Sequence, residues 1–336
     1  MKHGSRLVMF RHNLRSLAAL CFLTLFMIPA LALLPRPPLN LDDIFNTATQ
    51  DHLILFSIRL PRVVLAFLTG AALSLAGANF QALLKNPLAD PYILGVSGGS
   101  ALGYVVALIF GLPTALLPLA GFVSALGSLV IIHGLATTAD GLNTHSLLLT
   151  GVIFNSFSFA LILIINTLVP FAQSHQILSL LMGSIAPVAW SQIFVFAVIT
   201  LTATLILVNR APALDLLSLG DTQAHHLGLD IVRERRLVFI LTSLLVGASV
   251  SLCGLIGFVG LFVPHLMRLV FGAPHKRLLP ASIFFGGLFL AVADLAATQM
   301  AHLEQLGTRL PVGAVTALVG APVFVWLLKR QARGLT

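Results

Sequence analysis

The feature that most constrains this chain is a recurrence of apolar runs long enough to cross a bilayer, punctuated by proline, glycine or charge. A hydrocarbon core about 30 Å thick asks for about 20 residues of helix. Runs of that order predict ten helices, near Leu14–Leu34, Pro61–Leu84, Tyr92–Phe110, Thr114–Thr138, Ser146–Val169, Trp190–Val208, Leu237–Leu252, Leu255–Val270, Leu279–Ala301 and Pro311–Leu328. In lipid every backbone polar group must find a partner within the protein, so such runs fold as helices. The expected fold class is therefore an all-α membrane protein, one ten-helix bundle over residues 1–336. The seventh and eighth spans are the least separated, because "SLCGLIGFVGLFVPHL" has only glycines and a proline as punctuation.

Composition supports a membrane chain. With 58% hydrophobic and 9% charged residues, a soluble domain of 336 residues would lack the charge to solvate its exterior. The formal net charge of +8 could point to nucleic acid. In a membrane chain, however, Lys and Arg collect in cytoplasmic loops, so lipid is the expected surround and no nucleic-acid partner is expected. Cys21 and Cys253 lie inside apolar runs, where a thiol behaves as a small hydrophobe, and no disulfide framework is expected. The N-terminus, "MKHGSRLVMFRHNLRS" before "LAALCFLTLFMIPALALLP", has the look of a signal peptide, but its apolar stretch is about long enough to span and is read as an uncleaved first span.

Orientation follows from the cations. Lys2, Arg6, Arg11 and Arg15 put the head in the cytoplasm; counting alternately, Lys85, Arg210, Arg233, Arg235, Arg236, Arg268, Lys276 and Arg277 fall inside, as do Lys329, Arg330 and Arg333 of the tail. Both termini are then cytoplasmic. Arg36, Arg59, Arg62 and Arg309 fall outside.

The largest soluble segment, about 210–236, lies inside by this count. In "DLLSLGDTQAHHLGL" short helical runs are broken by Gly220 and Gly228, and Asp221 can cap a short helix running to about Leu227. Such a platform suits docking of another protein, although an amphipathic connector would look similar. His225 and His226 are adjacent, point about a hundred degrees apart on a helix, and make poor joint metal ligands; no metal site is expected. Asp294 is the one acid deep in a predicted span, where it needs a partner or a cavity. It could relay protons or anchor helices, and its isolation favours the anchor. The fifth span carries Asn155, Ser156, Ser158, Asn166 and Thr167, which either line a pathway or bond neighbouring helices. Glycines recur in the second, ninth and tenth spans, as expected where helices must approach closely in lipid. No Gly-x-x-x-x-Gly-Lys-Ser/Thr occurs, so the chain carries no P-loop.

From about residue 55 to the end, these motifs fall in one recognisable order. "RLPRVVLAFLTGAALSLAGANFQALLKNPLADPYILGVSGGSALG", "LGLDIVRERR", "GFVGLFVPHLMR", "LPASIFFGGLFLAVADLAA" and "LPVGAVTALVGAPVFVWLL" resemble the permease subunits of ABC importers for iron chelates, haem and cobalamin, the FecCD or BtuC-like family. The resemblance implies a single permease domain that pairs with a second copy to form a homodimer. Two separate ATPase subunits would carry ATP and Mg, a periplasmic binding protein would deliver substrate, and this chain would bind no cofactor in a multi-pass inner-membrane location. It also implies roles: binding-protein docking at Arg59 and Arg62; ATPase coupling at Leu219, Gly220, Asp221, Ala224, Leu227 and Gly228; a cytoplasmic gate at Asn86, Leu88 and Thr144; and a pathway along the fifth and tenth spans. The family commonly reads Glu-Leu-Pro-Val-Gly where this chain has Arg309-Leu310-Pro311-Val312-Gly313, and a further docking arginine lies near the position of His302. His302 and Arg309 therefore join the docking set.

Three classes compete. An ABC permease contributes no bond chemistry. An ion-coupled secondary transporter would use Asp294. A membrane-embedded enzyme lacks any His/Glu metal motif or activated nucleophile in the spans. The substrate, whether siderophore, haem, cobalamin or an oxyanion, is not written in the apolar lining; His133, His145, His175 and His302 could be haem contacts, but surface placement is the plainer account.

Overall fold

The computed structural model describes residues 22–24, 26–34, 39–40, 43–47, 49–138, 141–142, 144–303 and 310–332. Over these the regular secondary structure is helical, apart from a two-residue antiparallel pairing of Thr137–Thr138 with Gly141–Leu142. The helices are α1 (Gln50–Leu83), α2 (Val96–Ile109), α3 (Leu117–Ala136), α4 (Thr144–Leu168), α5 (Phe171–Met182), α6 (Trp190–Asn209), α7 (Ala211–Leu219), α8 (Asp221–His226), α9 (Ile231–Cys253), α10 (Val259–Phe271), α11 (His275–Leu303) and α12 (Val312–Ala332). An apolar helix, Phe22–Leu33, precedes them, and the rest of the expected first span lies outside the described residues. Six of the helices are long and apolar enough to cross a membrane: α1, α3, α4, α6, α9 and α11. Four more apolar helices are shorter: Phe22–Leu33, α2, α10 and α12.

Helix α1 is the axis of the bundle. From Leu60 to Leu83 it is buried on all sides, as a helix apolar around its whole circumference must be. Its tightest neighbours are α10 and α11. A Cβ on Gly77 would overlap the backbone of Gly260, and one on Gly70 would overlap the carbonyl of Gly286. Glycine here sets how closely the helix axes approach, which is the source of packing energy in lipid.

Among the differences from the sequence expectation, two helix starts and one added helix bear on the site. Helix α1 starts at Gln50, not Pro61, because a π-helical turn over Leu55–Arg59 precedes the proline. A wide turn there absorbs the missing donor and the ring that would break a regular ladder. The expected eighth span loses its start: Gly254 and Phe258 have φ of +68° and +70°, and helix resumes only at Val259. This non-helical stretch stays bonded at depth. Leu255 N–H donates to the Leu180 carbonyl (3.0 Å), Ile256 N–H donates to the Tyr92 hydroxyl (3.0 Å), and that hydroxyl donates to the Ile256 carbonyl (3.0 Å). Helix α5 had no counterpart among the ten runs, being short and rich in polar residues.

Candidate functional site

Charged side chains gather at the two ends of the regular part of α1, Leu60–Leu83. By helix rise, Arg62 and Lys85 are roughly 35 Å apart.

At the N-terminal end, Arg62 donates from Nε to Oδ2 of Asp294 and from Nη2 to Oδ1, both at 2.7 Å. The two side chains are 10% and 5% exposed. This bidentate geometry matches the planar guanidinium to the planar carboxylate and satisfies both charges at once. Asp294, expected to be isolated, thus has a partner 232 residues away in sequence. Arg62, expected to face a docking partner, is turned inward in this structure, and Arg59 is likewise only 8% exposed. Arg309 and the side chain of His302 lie outside the described residues.

At the C-terminal end α1 closes on a Schellman motif: Asn86 N–H donates to the Gln81 carbonyl (3.1 Å) and Lys85 N–H to that of Ala82 (3.2 Å). The residue between is forced into the left-handed region, and here it is Lys85, with φ of +50°. A side chain at such a position costs about 1–2 kcal/mol that glycine would avoid. The Lys85 ammonium lies 2.7 Å from Oδ1 of Asp221, which also accepts from Nη2 of Arg235 at 2.6 Å. Asp221 is the first residue of α8 and its side chain makes no capping bond, so the expected capping role is replaced by an ion link to α1 and α9. Burial pushes the Asp221 carboxyl up, but hydrogen bonds and charge from Lys85 and Arg235 outweigh it and leave it below the ordinary carboxylate value.

The segment after α6 folds as expected into two short helices, α7 and α8, broken at Gly220 (φ +117°) and closed at Gly228 (φ +82°). The platform is tied down by His275 Nδ1 to Asp215 Oδ1 (2.6 Å), with the His275 N–H donating to the same oxygen (2.9 Å), and by Arg210 to Glu234 (2.9 Å). Ala224 is buried while Leu219 and Leu227 are 57% and 61% exposed, an apolar pair standing free of the bundle. His225 and His226 are exposed, with tilted rings 6.5 Å apart.

Between Lys85 and α2 runs the Asn86–Asp90 loop. Leu88 N–H donates to Oδ1 of Asn86 (2.9 Å), and Asp90 Oδ1 accepts from Tyr92 N–H (2.8 Å). Burial raises the Asp90 carboxyl above its ordinary value, and that backbone bond only partly offsets it. Asn86 and Leu88 are exposed; Thr144 opens α4 and is half-buried. The five polar residues of α4 do not share one face. Asn155 Nδ2 donates to the Tyr92 carbonyl (2.8 Å) and Ser158 is buried, whereas Ser156 and Thr167 are exposed and Asn166 is intermediate. Tyr92, which sequence reasoning did not single out, is where α4, the loop and the break at Ile256 meet.

Residues 19–330 match the model of the FecCD transport family. The chain is 42% identical over 287 residues to the ABC transporter permease protein YvrB of Bacillus subtilis, covering 84% of this chain and 80% of that protein. It is 37% identical over 302 residues to the hemin transport system permease protein HmuU of Yersinia pestis (87% and 89%) and 39% identical over 287 residues to the vitamin B12 import system permease protein BtuC of Vibrio cholerae (84% and 85%). A solved metal-chelate type ABC transporter in an inward-facing conformation superimposes with a TM-score of 0.84 at 30% identity, covering 94% of this chain and 99% of that one. The chain is a transport permease and not an enzyme, and ATP hydrolysis belongs to a separate subunit. Through the match over 19–330, the chain belongs to the FecCD transport family, as a multi-pass inner-membrane permease of an ABC importer.

Proposed function

We propose that two copies of this chain form the membrane pathway of an ABC importer that carries a bulky metal chelate, haem, an iron–siderophore complex or cobalamin, into the cytoplasm by alternating access. The observation that carries the reading is the α7–α8 platform, which offers exposed Leu219 and Leu227 beside the end of α1 opposite Arg62. Two ATPase subunits, holding ATP and Mg, dock there, with Gly220, Asp221, Ala224 and Gly228 shaping the contact. Six long and four shorter apolar helices support ten spans, and the cations of head and tail favour both termini in the cytoplasm. The N-terminal end of α1 then faces the periplasm, where His302 and Arg309 receive the binding protein, and Arg59 and Arg62 act there through the surface they hold in place. Asn86, Leu88 and Thr144 form the cytoplasmic gate. The exposed faces of α4 and α12, including Phe157 and Leu318, meet the second copy, with Ser156, Asn166 and Thr167 toward the pathway and Asn155 and Ser158 as internal ties.

Substrate class rests on relatives named for hemin and vitamin B12 transport and on a metal-chelate type neighbour. An oxyanion would favour unpaired cations along the spans. The ion-coupled reading has less support, since Arg62 bonds both oxygens of Asp294. The test is ATPase activity of the reconstituted complex with binding protein carrying haemin, a ferric siderophore or cyanocobalamin. One of these should stimulate hydrolysis, and stimulation by an oxyanion instead would overturn the substrate class.

A further inference from the structure

We propose that Lys85 is a positioning residue that ties the ATPase platform to the cytoplasmic gate, so that movement of α8 is transmitted to the Asn86–Asp90 loop. The inference rests on the reading of α7–α8 as the coupling platform.

Three observations carry it. Lys85 occupies the left-handed position of a Schellman motif, φ +50°, where glycine would be free of strain. A lysine held there has a use for its side chain, and its ammonium reaches Oδ1 of Asp221, 2.7 Å away. Asp221 in turn bonds Arg235 of α9, so α8, α9 and the end of α1 share one carboxylate oxygen. Beyond Lys85 the backbone has little slack. Ala89 N–H donates to the Asn86 carbonyl (3.1 Å), Leu88 N–H to the Asn86 side chain, and Asp90 caps the 3-10 turn that begins at Pro91. The Tyr92 carbonyl then accepts from Asn155 of α4 (2.8 Å). A continuous bonded path thus runs from the platform through Lys85 and the loop to the proposed pathway helix. A physical path of this kind carries coupling only if both ends respond together, which is measurable.

The experiment is hydrogen exchange on the full complex, permease with its ATPase subunits in nanodiscs, with and without ATP and vanadate. In the wild type, trapping should change exchange in both segments 219–228 and 85–92. In Lys85→Gly the platform should still respond while the response of 85–92 falls by about fivefold or more, and Lys85→Arg should retain it. Lys85→Gly should melt at the wild-type temperature or above, which separates lost coupling from lost fold. An undiminished response of 85–92 in Lys85→Gly, or none in the wild type while 219–228 responds, would overturn the link alone. No response of 219–228 in the wild type would overturn the platform reading and the link with it.

Discussion

The two ends of the Leu60–Leu83 part of helix α1 each carry a cation bonded to an aspartate from a distant element, and the pairs are built differently. Arg62 and Asp294 are buried and bidentate, and both carboxylate oxygens are used. Lys85 and Asp221 are 36% and 47% exposed, joined by one contact, and the carboxylate is shared with Arg235. A buried pair cannot lose a partner without stranding a charge, whereas an exposed one trades protein for water at small cost. The first is suited to holding α1 and α11 in fixed register, and the second to a joint that can be strained and remade during a transport cycle.

The largest effect that would break this contrast is at the anchor. Asp294→Ala or Arg62→Ala should destabilise the detergent-solubilised permease by about 3–5 kcal/mol, read as a fall in melting temperature. The double change Arg62→Leu with Asp294→Leu should recover most of that loss, since an apolar pair strands no charge. If the single variants melt like wild type, the pair is not an anchor. Next is a close approach farther along α1: Gly77→Ala pushes a methyl into the Gly260 backbone and should cost about 1–3 kcal/mol in the same assay. At the joint the sign reverses. Lys85→Gly removes left-handed strain and should leave stability unchanged or raise it by up to about 1 kcal/mol, while coupling is lost.

The smallest expected effect is with pH. The Asp221 carboxyl lies below its ordinary value in the folded protein, so the stability its ion link contributes is present above the unfolded value and is lost as pH falls through the lower folded one. The difference in exchange protection of 219–228 between wild type and Asp221→Asn, in which any effect of His225, His226 and His275 cancels, should therefore be flat between about pH 5 and pH 8. A titration in that window would assign the joint to another group.

The contrast also separates what the sequence disclosed from what it hid. Apolar runs marked most of the helices, and Gly220 and Gly228 marked the platform, because periodicity and backbone freedom are local properties. The start of α1 at Gln50 was hidden because a π turn, invisible in composition, carries the helix up to Pro61. The break at Gly254–Phe258 was hidden because its polar groups are satisfied by Tyr92 and Leu180, far away in the chain. Asp294 looked solitary for the same reason. Its partner, Arg62, was counted among the wrong-side cations, whereas a guanidinium committed to a buried carboxylate is a poor reporter of orientation. The link of Lys85 to Asp221 spans 136 residues, and nothing in "LLKNPLAD" marks its lysine as left-handed.

The claim beneath the whole account is that ATP hydrolysed on a separate subunit drives this permease through the platform at the joint end of α1. The direct measurement is uptake of haemin, a ferric siderophore and cyanocobalamin into proteoliposomes containing the permease, its ATPase and its binding protein, with intact or Walker-lysine-dead ATPase. The account predicts accumulation of one of these chelates with the intact ATPase and none with the dead one. Accumulation that persists with the dead ATPase would contradict it.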